Sequence, residues 1–203
     1  MGAPSHDWQA VSGRYLEQFK ALLDNTDLRQ VERIVDRLRE VRDRGGNVFV
    51  AGNGGSAATA THLVNDLGKA TKRSGRRPMR VMCLSDNVSW LTALANDEGY
   101  ARAFSGQMEN FAFEGDLLLV ISASGNSENL IDAVQLAAHR GVHTAALLGF
   151  DGGRLMDMVE DYVLIATEIG AYGPVESAHS VVCDLLTTCL IADVDLDRLA
   201  TPA

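Results

Sequence analysis

The sequence predicts an α/β protein in which a five-stranded parallel sheet is flanked by helices and preceded by an N-terminal helix pair. Three observations predict it. Short apolar runs alternate with helical patterns, as strands buried on both faces do. Two of those runs end directly in loops of glycine, serine and asparagine that lead into a helical segment. Before the first run, two stretches carry apolar residues at three- and four-residue steps.

The first of these stretches runs from Asp7 to about Asp24 and places Trp8, Val11, Tyr15, Phe19, Leu22 and Leu23 on one side. After Asn25-Thr26 the second repeats the pattern with Leu28, Val31, Ile34, Val35, Leu38 and Val41, and stops at Gly45-Gly46, where glycine suits a left-handed C-cap. Asn47–Ala51 is then a buried strand, and further strands are expected over Met79–Leu84, Asp116–Ile121, Thr144–Gly149 and Tyr162–Ala166. Helical patterns fall at 57–67, 89–96, 100–112, 128–140 and, briefly, 154–158. A long last helix is expected from about Pro174, a residue suited to a first turn, to Asp193.

A chain of 203 residues with 46% hydrophobic content supports one sizeable core. One domain is therefore expected over 1–203, with a helical extension at about 7–44 and an α/β core at about 47–195. The formal charge of -9 argues against a nucleic-acid partner, which requires a surface that attracts phosphates over long range. Lys69, Lys72, Arg73, Arg76, Arg77 and Arg80 form the one basic concentration and read as a solvated loop. Cys83, Cys183 and Cys189 lie in apolar stretches without C-x-x-C spacing, so buried, reduced thiols are expected. The N-terminus lacks the basic and then apolar run of a signal peptide, and no apolar stretch approaches the roughly 20 residues of a membrane span. The expectation is a cytoplasmic protein with no membrane partner.

The loops Gly52-Asn53-Gly54-Gly55-Ser56 and Ser122-Ala123-Ser124-Gly125-Asn126-Ser127 follow strands and open helices, so backbone N–H groups at positive helix ends are free to meet an anion. Neither is a Walker loop or a full dinucleotide fingerprint. His62 and Asp66, four apart on the helix after the first loop, share a face; the spacing suits a shared metal, a proton-transfer pair or an exposed structural pair. Glu176, His179 and Asp184 interrupt the apolar last helix, either as buried groups that need partners or as a polar edge.

Together with Ser85-Asp86, Asn96-Asp97 and Asp151-Gly152-Gly153, these loops resemble the sugar isomerase (SIS) domain. From about Leu16 to Val194 the chain is similar to the sedoheptulose 7-phosphate isomerases, also called phosphoheptose isomerases. The resemblance implies the three-layer SIS fold and aldose–ketose isomerisation of a sugar phosphate through an enediol. It implies that Ser122, Ser124 and Ser127 bind the phosphate, with Ala123 standing where threonine or serine is common. Asn53, Gly54, Gly55 and Ser56 would contact the sugar-phosphate chain and Asp97 the sugar. It further implies a divalent metal, zinc, held by His62, Asp66, Glu176 and Asp184 at positions where the family has histidine, glutamate, glutamine and histidine. His179 matches an additional family histidine and is a possible substitute ligand.

Asp66 is the expected base and Asp184 the second proton-transfer group. Being one methylene shorter than glutamate, Asp66 displaces a transferring oxygen by more than about 1 Å, and catalysis tolerates such misplacement poorly. A homotetramer with sites between subunits is also implied. Two alternatives stand beside this reading: an isomerase of another ketose phosphate in specialised metabolism, and a regulatory SIS protein resembling the factor that binds the bacterial replication initiator. That factor lacks acidic groups at both replaced positions, so Asp66 and Asp184 favour an enzyme.

Overall fold

The apolar runs form β1 (Asn47–Gly52), β2 (Arg80–Cys83), β3 (Leu117–Ser122), β4 (His143–Phe150) and β5 (Asp161–Ala166). In the computed structural model, which describes residues 7–72 and 76–200 (194–200 as helical backbone alone), they make one parallel sheet in the order β2-β1-β3-β4-β5. Val48 pairs with Leu117, Leu119 with Ala145 and Leu147 with Val163. The pleat sends Val48, Val50, Leu117, Leu119 and Ile121 to one face and Phe49, Ala51, Leu118 and Val120 to the other, each into its own buried cluster. With both faces covered, alternation between polar and apolar residues disappears, and the strands read as continuous apolar runs.

On the first face lie α1 (Trp8–Asp24), α2 (Leu28–Arg44), α3 (Gly55–Asn65) and α7 (Tyr172–Ala200); on the other, α4 (Val88–Asp97), α5 (Ser105–Met108) and α6 (Glu128–His139). The expected starts and stops of the first two helices have physical causes in the structure. Asp7 accepts from the Ala10 amide at 3.0 Å and Asp27 from the Arg29 amide at 2.9 Å, and Gly45 ends α2 at φ 78°. The apolar stripe of α2 is buried, whereas α1 buries no residue: Phe19, Leu22 and Leu23 lean on the core, but Trp8 and Leu16 are 67% and 63% exposed.

Several expectations are corrected. The helix expected at 100–112 is broken into a 3₁₀ turn at Tyr100–Arg102 and the single-turn α5; Gly99, at φ 94°, sets the segment off from α4, and Arg102 and Ser105 on either side of the break are both tied to Asp132 of α6. The helix after the first loop does not end at 67 but widens into a π-turn over Asp66–Ala70. β2 is shorter than Met79–Leu84, α7 starts at Tyr172, and 154–157 is 3₁₀. Arg80 belongs to β2 rather than to a basic loop, and Arg73 lies outside the described residues. Cys83 and Cys183 are buried, but Cys189 is exposed. Over Tyr172–Asp193 the last helix is in fact long and apolar enough to cross a membrane. Here Val175, Ala178, Val182, Leu186 and Leu190 pack it into the core against the sheet.

Candidate active site

β2 and β3 flank β1 on opposite sides, so the strand order reverses at β1 and a crevice opens between the carboxyl ends of β1 and β3. Both anion loops emerge there. A cavity of about 140 Å³ between them is lined by Asn53 and Ser56 from the first loop, Ser122, Ala123, Ser124 and Ser127 from the second, and Tyr172 and Glu176 from α7. Most of the expected sugar-phosphate contacts are therefore brought together. Gly54 and Gly55 sit on the exposed rim where α3 begins, and Gly54, at φ 54°, makes the turn.

The second loop is shaped by its own serines. Ser122 Oγ accepts from the Gly125 amide at 3.0 Å and Ser124 Oγ from the Asn126 amide at 3.4 Å. Ser127 stands at the N-cap of α6 with its hydroxyl engaged in no cap bond. That hydroxyl is at the positive end of a helix and available to an anion. Asp151-Gly152-Gly153 backs the loop: the Leu155 amide donates to Gly125 O at 3.0 Å, and a methyl on Gly125 would lie 1.9 Å from Gly152 O. Gly152 thus supports the loop's backbone.

Glu176 reaches the cavity because α3 and α7 run side by side from the same sheet edge and touch at Gly55. A methyl there would sit 2.5 Å from both Glu176 carboxylate oxygens. Two turns further along, a second group forms: ligand atoms of His62, Asp66 and Asp184 lie within 4.8 Å of one another, with His62 Nε2 at 3.3 Å from Asp66 Oδ2. Asp66 opens the π-turn, a helix irregularity that recurs at functional sites. Cys183 lies beside them, and burial, reinforced by the Asp184 and Asp66 charges, pushes its thiol up to about 12. No thiolate joins the donor set, which is one imidazole and two carboxylates.

Two expected ligands fall outside that group. Glu176 precedes Asp184 by eight residues, a rise of about 12 Å at 1.5 Å per residue, which leaves it at the phosphate loops. His179 is fully buried, with Nε2 against Leu148 O at 3.0 Å and burial lowering its pKa to about 4. It is a neutral core histidine. Asp97 is exposed at the end of α4, where it accepts from Asn96 Nδ2 at 2.7 Å, and does not line the cavity.

Sequence reasoning missed Asn129 and Tyr100. Asn129, 2% exposed, exchanges two 2.9 Å hydrogen bonds with Asn53, and Tyr100 donates to Asn53 Oδ1 at 2.7 Å. An asparagine on the inward face of α6 is a signal a helical projection can find. Tyr100 carries none, because the broken segment after Gly99 brings it there.

Two glycine- and serine-rich loops around a cavity at the switch point of a 2-1-3-4-5 sheet, with a carboxylate-rich group alongside, define an α/β protein with a ligand crevice at the carboxyl ends of its strands. The chain belongs to the SIS domain family, which it matches over residues 14–149. It is 35% identical over 165 residues to a probable phosphoheptose isomerase of Thermoplasma volcanium, covering 81% of this chain and 83% of the relative. It is 40% identical over 160 residues to the phosphoheptose isomerase of Pelobacter propionicus, covering 77% and 83%. The phosphoheptose isomerase structure from Neisseria gonorrhoeae superposes with a TM-score of 0.81 at 28% identity, covering 91% of this chain and 98% of that one.

Proposed function

We propose that this chain is an aldose–ketose isomerase that converts sedoheptulose 7-phosphate to a heptose 7-phosphate. The observation that carries the reading is the cavity in which Ser122, Ser124, Ser127 and the amides around them face Glu176 across Asn53 and Ser56. Relatives and a solved structure that bear the name phosphoheptose isomerase support the substrate.

The serine loop binds the phosphate and fixes one end of the substrate. Hydroxyls and helix-end amides neutralise the dianion without a lysine. Asn53, Ser56 and Glu176 orient the sugar chain, and its carbonyl end extends along α3 and α7 toward Asp66 and Asp184. Asp66 removes the proton from C1, next to the C2 carbonyl, and Asp184 serves the second transfer, taking the proton from the O1 hydroxyl and delivering it to the developing O2 oxyanion. Return of a proton to the neighbouring carbon completes the isomerisation. Ile121 and Leu130 give the cavity its apolar lining.

The donor set fits a divalent ion. Catalytic zinc takes three nitrogen and oxygen ligands and keeps one position open, and His62, Asp66 and Asp184 supply three. Zinc is the proposed ion, and the two carboxylates also suit harder divalent ions. When bound, it polarises a substrate oxygen as a Lewis acid. Glu176 stays with the substrate. The proposed assembly is a homotetramer with sites between subunits, and the exposed Trp8, Val11 and Leu16 of α1 are apolar surface that a second copy would cover; the proposed place of action is the cytoplasm.

Incubating metal-replete protein with sedoheptulose 7-phosphate in D₂O tests the reading. The expected result is deuterium at C2 of the heptose and at C1 of recovered ketose, lost after chelation and regained with zinc. No exchange with this ketose phosphate refutes the function, and full turnover in both Asp66→Asn and Asp184→Asn refutes the roles given to those residues.

A further inference from the structure

We infer that Tyr100 and Asn129 are positioning residues that lock the Asn53 carboxamide so that it offers the substrate a single N–H donor. The inference rests on the isomerase reading and deepens it at one atom. An amide oxygen has two acceptor positions and an amide nitrogen two donors. Asn53 Oδ1 receives one bond from Asn129 Nδ2 at 2.9 Å and one from Tyr100 Oη at 2.7 Å, and is saturated. Asn53 Nδ2 gives one hydrogen to Asn129 Oδ1 at 2.9 Å. One N–H remains, on a side chain that lines the phosphate cavity. The substrate group it meets is therefore an oxygen acting as acceptor, a phosphate, carbonyl or hydroxyl oxygen with a free lone pair.

The lock is built into the fold. Asn129 is almost fully buried and cannot turn to solvent. One turn along α6, Asp132 takes Arg102 Nη1 at 3.4 Å and the Ser105 hydroxyl, and Arg102 Nη2 reaches Glu109 at 2.5 Å. The irregular segment from Gly99 to Ser105 is thus clamped to the same face of α6 that presents Asn129. The clamp holds Tyr100, at the start of this segment, beside the loop after β1. The half-exposed Tyr100 commits its hydroxyl hydrogen to Asn53 and does not itself line the cavity.

A double-mutant cycle on the full-length, metal-replete protein tests this, read by calorimetric affinity for sedoheptulose 7-phosphate and by steady-state turnover. Tyr100→Phe and Asn129→Leu should each weaken affinity and raise KM about three- to tenfold, with kcat changed less. In an Asn53→Ala background neither should add anything, because both act through Asn53. Tyr100→Phe removes one exposed hydroxyl and should leave the unfolding transition unchanged, so its result stands even if Asn129→Leu folds poorly. Additive losses, or a Tyr100→Phe variant that matches wild type, overturn the inference while wild-type turnover leaves the isomerase reading standing. A wild type that neither binds nor converts this sugar phosphate overturns the isomerase reading, and this inference with it.

Discussion

Gly55→Ala separates the chemistry of Glu176 from the stability of the fold. The three atoms nearest an added methyl all belong to the Glu176 carboxylate, two oxygens at 2.5 Å and their carbon at 2.6 Å, so the contact falls well inside the distance real methyl groups keep. Gly55 begins α3 without a positive φ, and alanine in a helix is better than glycine by up to about 1 kcal/mol. Moving a carboxylate away from a helix N-terminus costs about 0.3–1 kcal/mol. The two terms nearly cancel, so Tm should change by no more than about 4 °C. Turnover should fall much further, because shifting a substrate-orienting oxygen by about 1 Å costs up to about 100-fold. Calorimetric melting beside kcat/KM for sedoheptulose 7-phosphate is the assay. Once Glu176→Ala has removed the obstruction, adding Gly55→Ala should change little. Wild-type kcat/KM in Gly55→Ala would refute the place given to Glu176.

Gly125→Ala should destabilise the protein by about 2–4 kcal/mol in urea titration and abolish phosphate binding, since it combines a left-handed φ of 62° with a methyl 1.9 Å from the Gly152 carbonyl oxygen, and backbone cannot swing aside. His179 makes stability pH-dependent. Burial, only partly opposed by the bond to Leu148 O, lowers its pKa from 6.5 to about 4, so between those values the unfolded chain binds a proton that the native state refuses. Stability should fall by up to about 3 kcal/mol as pH drops from 6.5 to 4, and His179→Gln should lack this component in urea unfolding measured across that range. Trp8→Asp with Leu16→Asp should convert the assembly to smaller species in sedimentation while far-ultraviolet circular dichroism stays native, because both side chains are exposed in the single chain.

Legibility followed how local the cause was. The helix pair, the parallel sheet and the two loops were readable because burial on both faces and glycine at turns leave marks within a few residues. The serine loop was readable for the same reason, its amide-to-hydroxyl bonds spanning two or three positions. His62 and Asp66 were readable as a pair, being one helical turn apart. The helix expected at 100–112 is interrupted between Arg102 and Ser105, where both side chains bond Asp132 of α6, a tertiary contact that apolar spacing does not register. Periodicity also placed Glu176, His179 and Asp184 on one helix without saying that the first faces the phosphate loops, the second the core and the third a metal-type donor group.

The amino-acid sequence by itself determined the kind of fold, its anion loops and the residue types available for chemistry, because these depend on patterning and turn geometry along the chain. Only the tertiary structure decided which of those residues meet. Packing of α7 against the sheet and α3 buries His179 on Leu148, sets Glu176 at Gly55, and joins Asp184 to His62 and Asp66 across more than a hundred residues of sequence. Asn53 likewise owes its fixed orientation to Asn129 and Tyr100, partners that only packing brings to it.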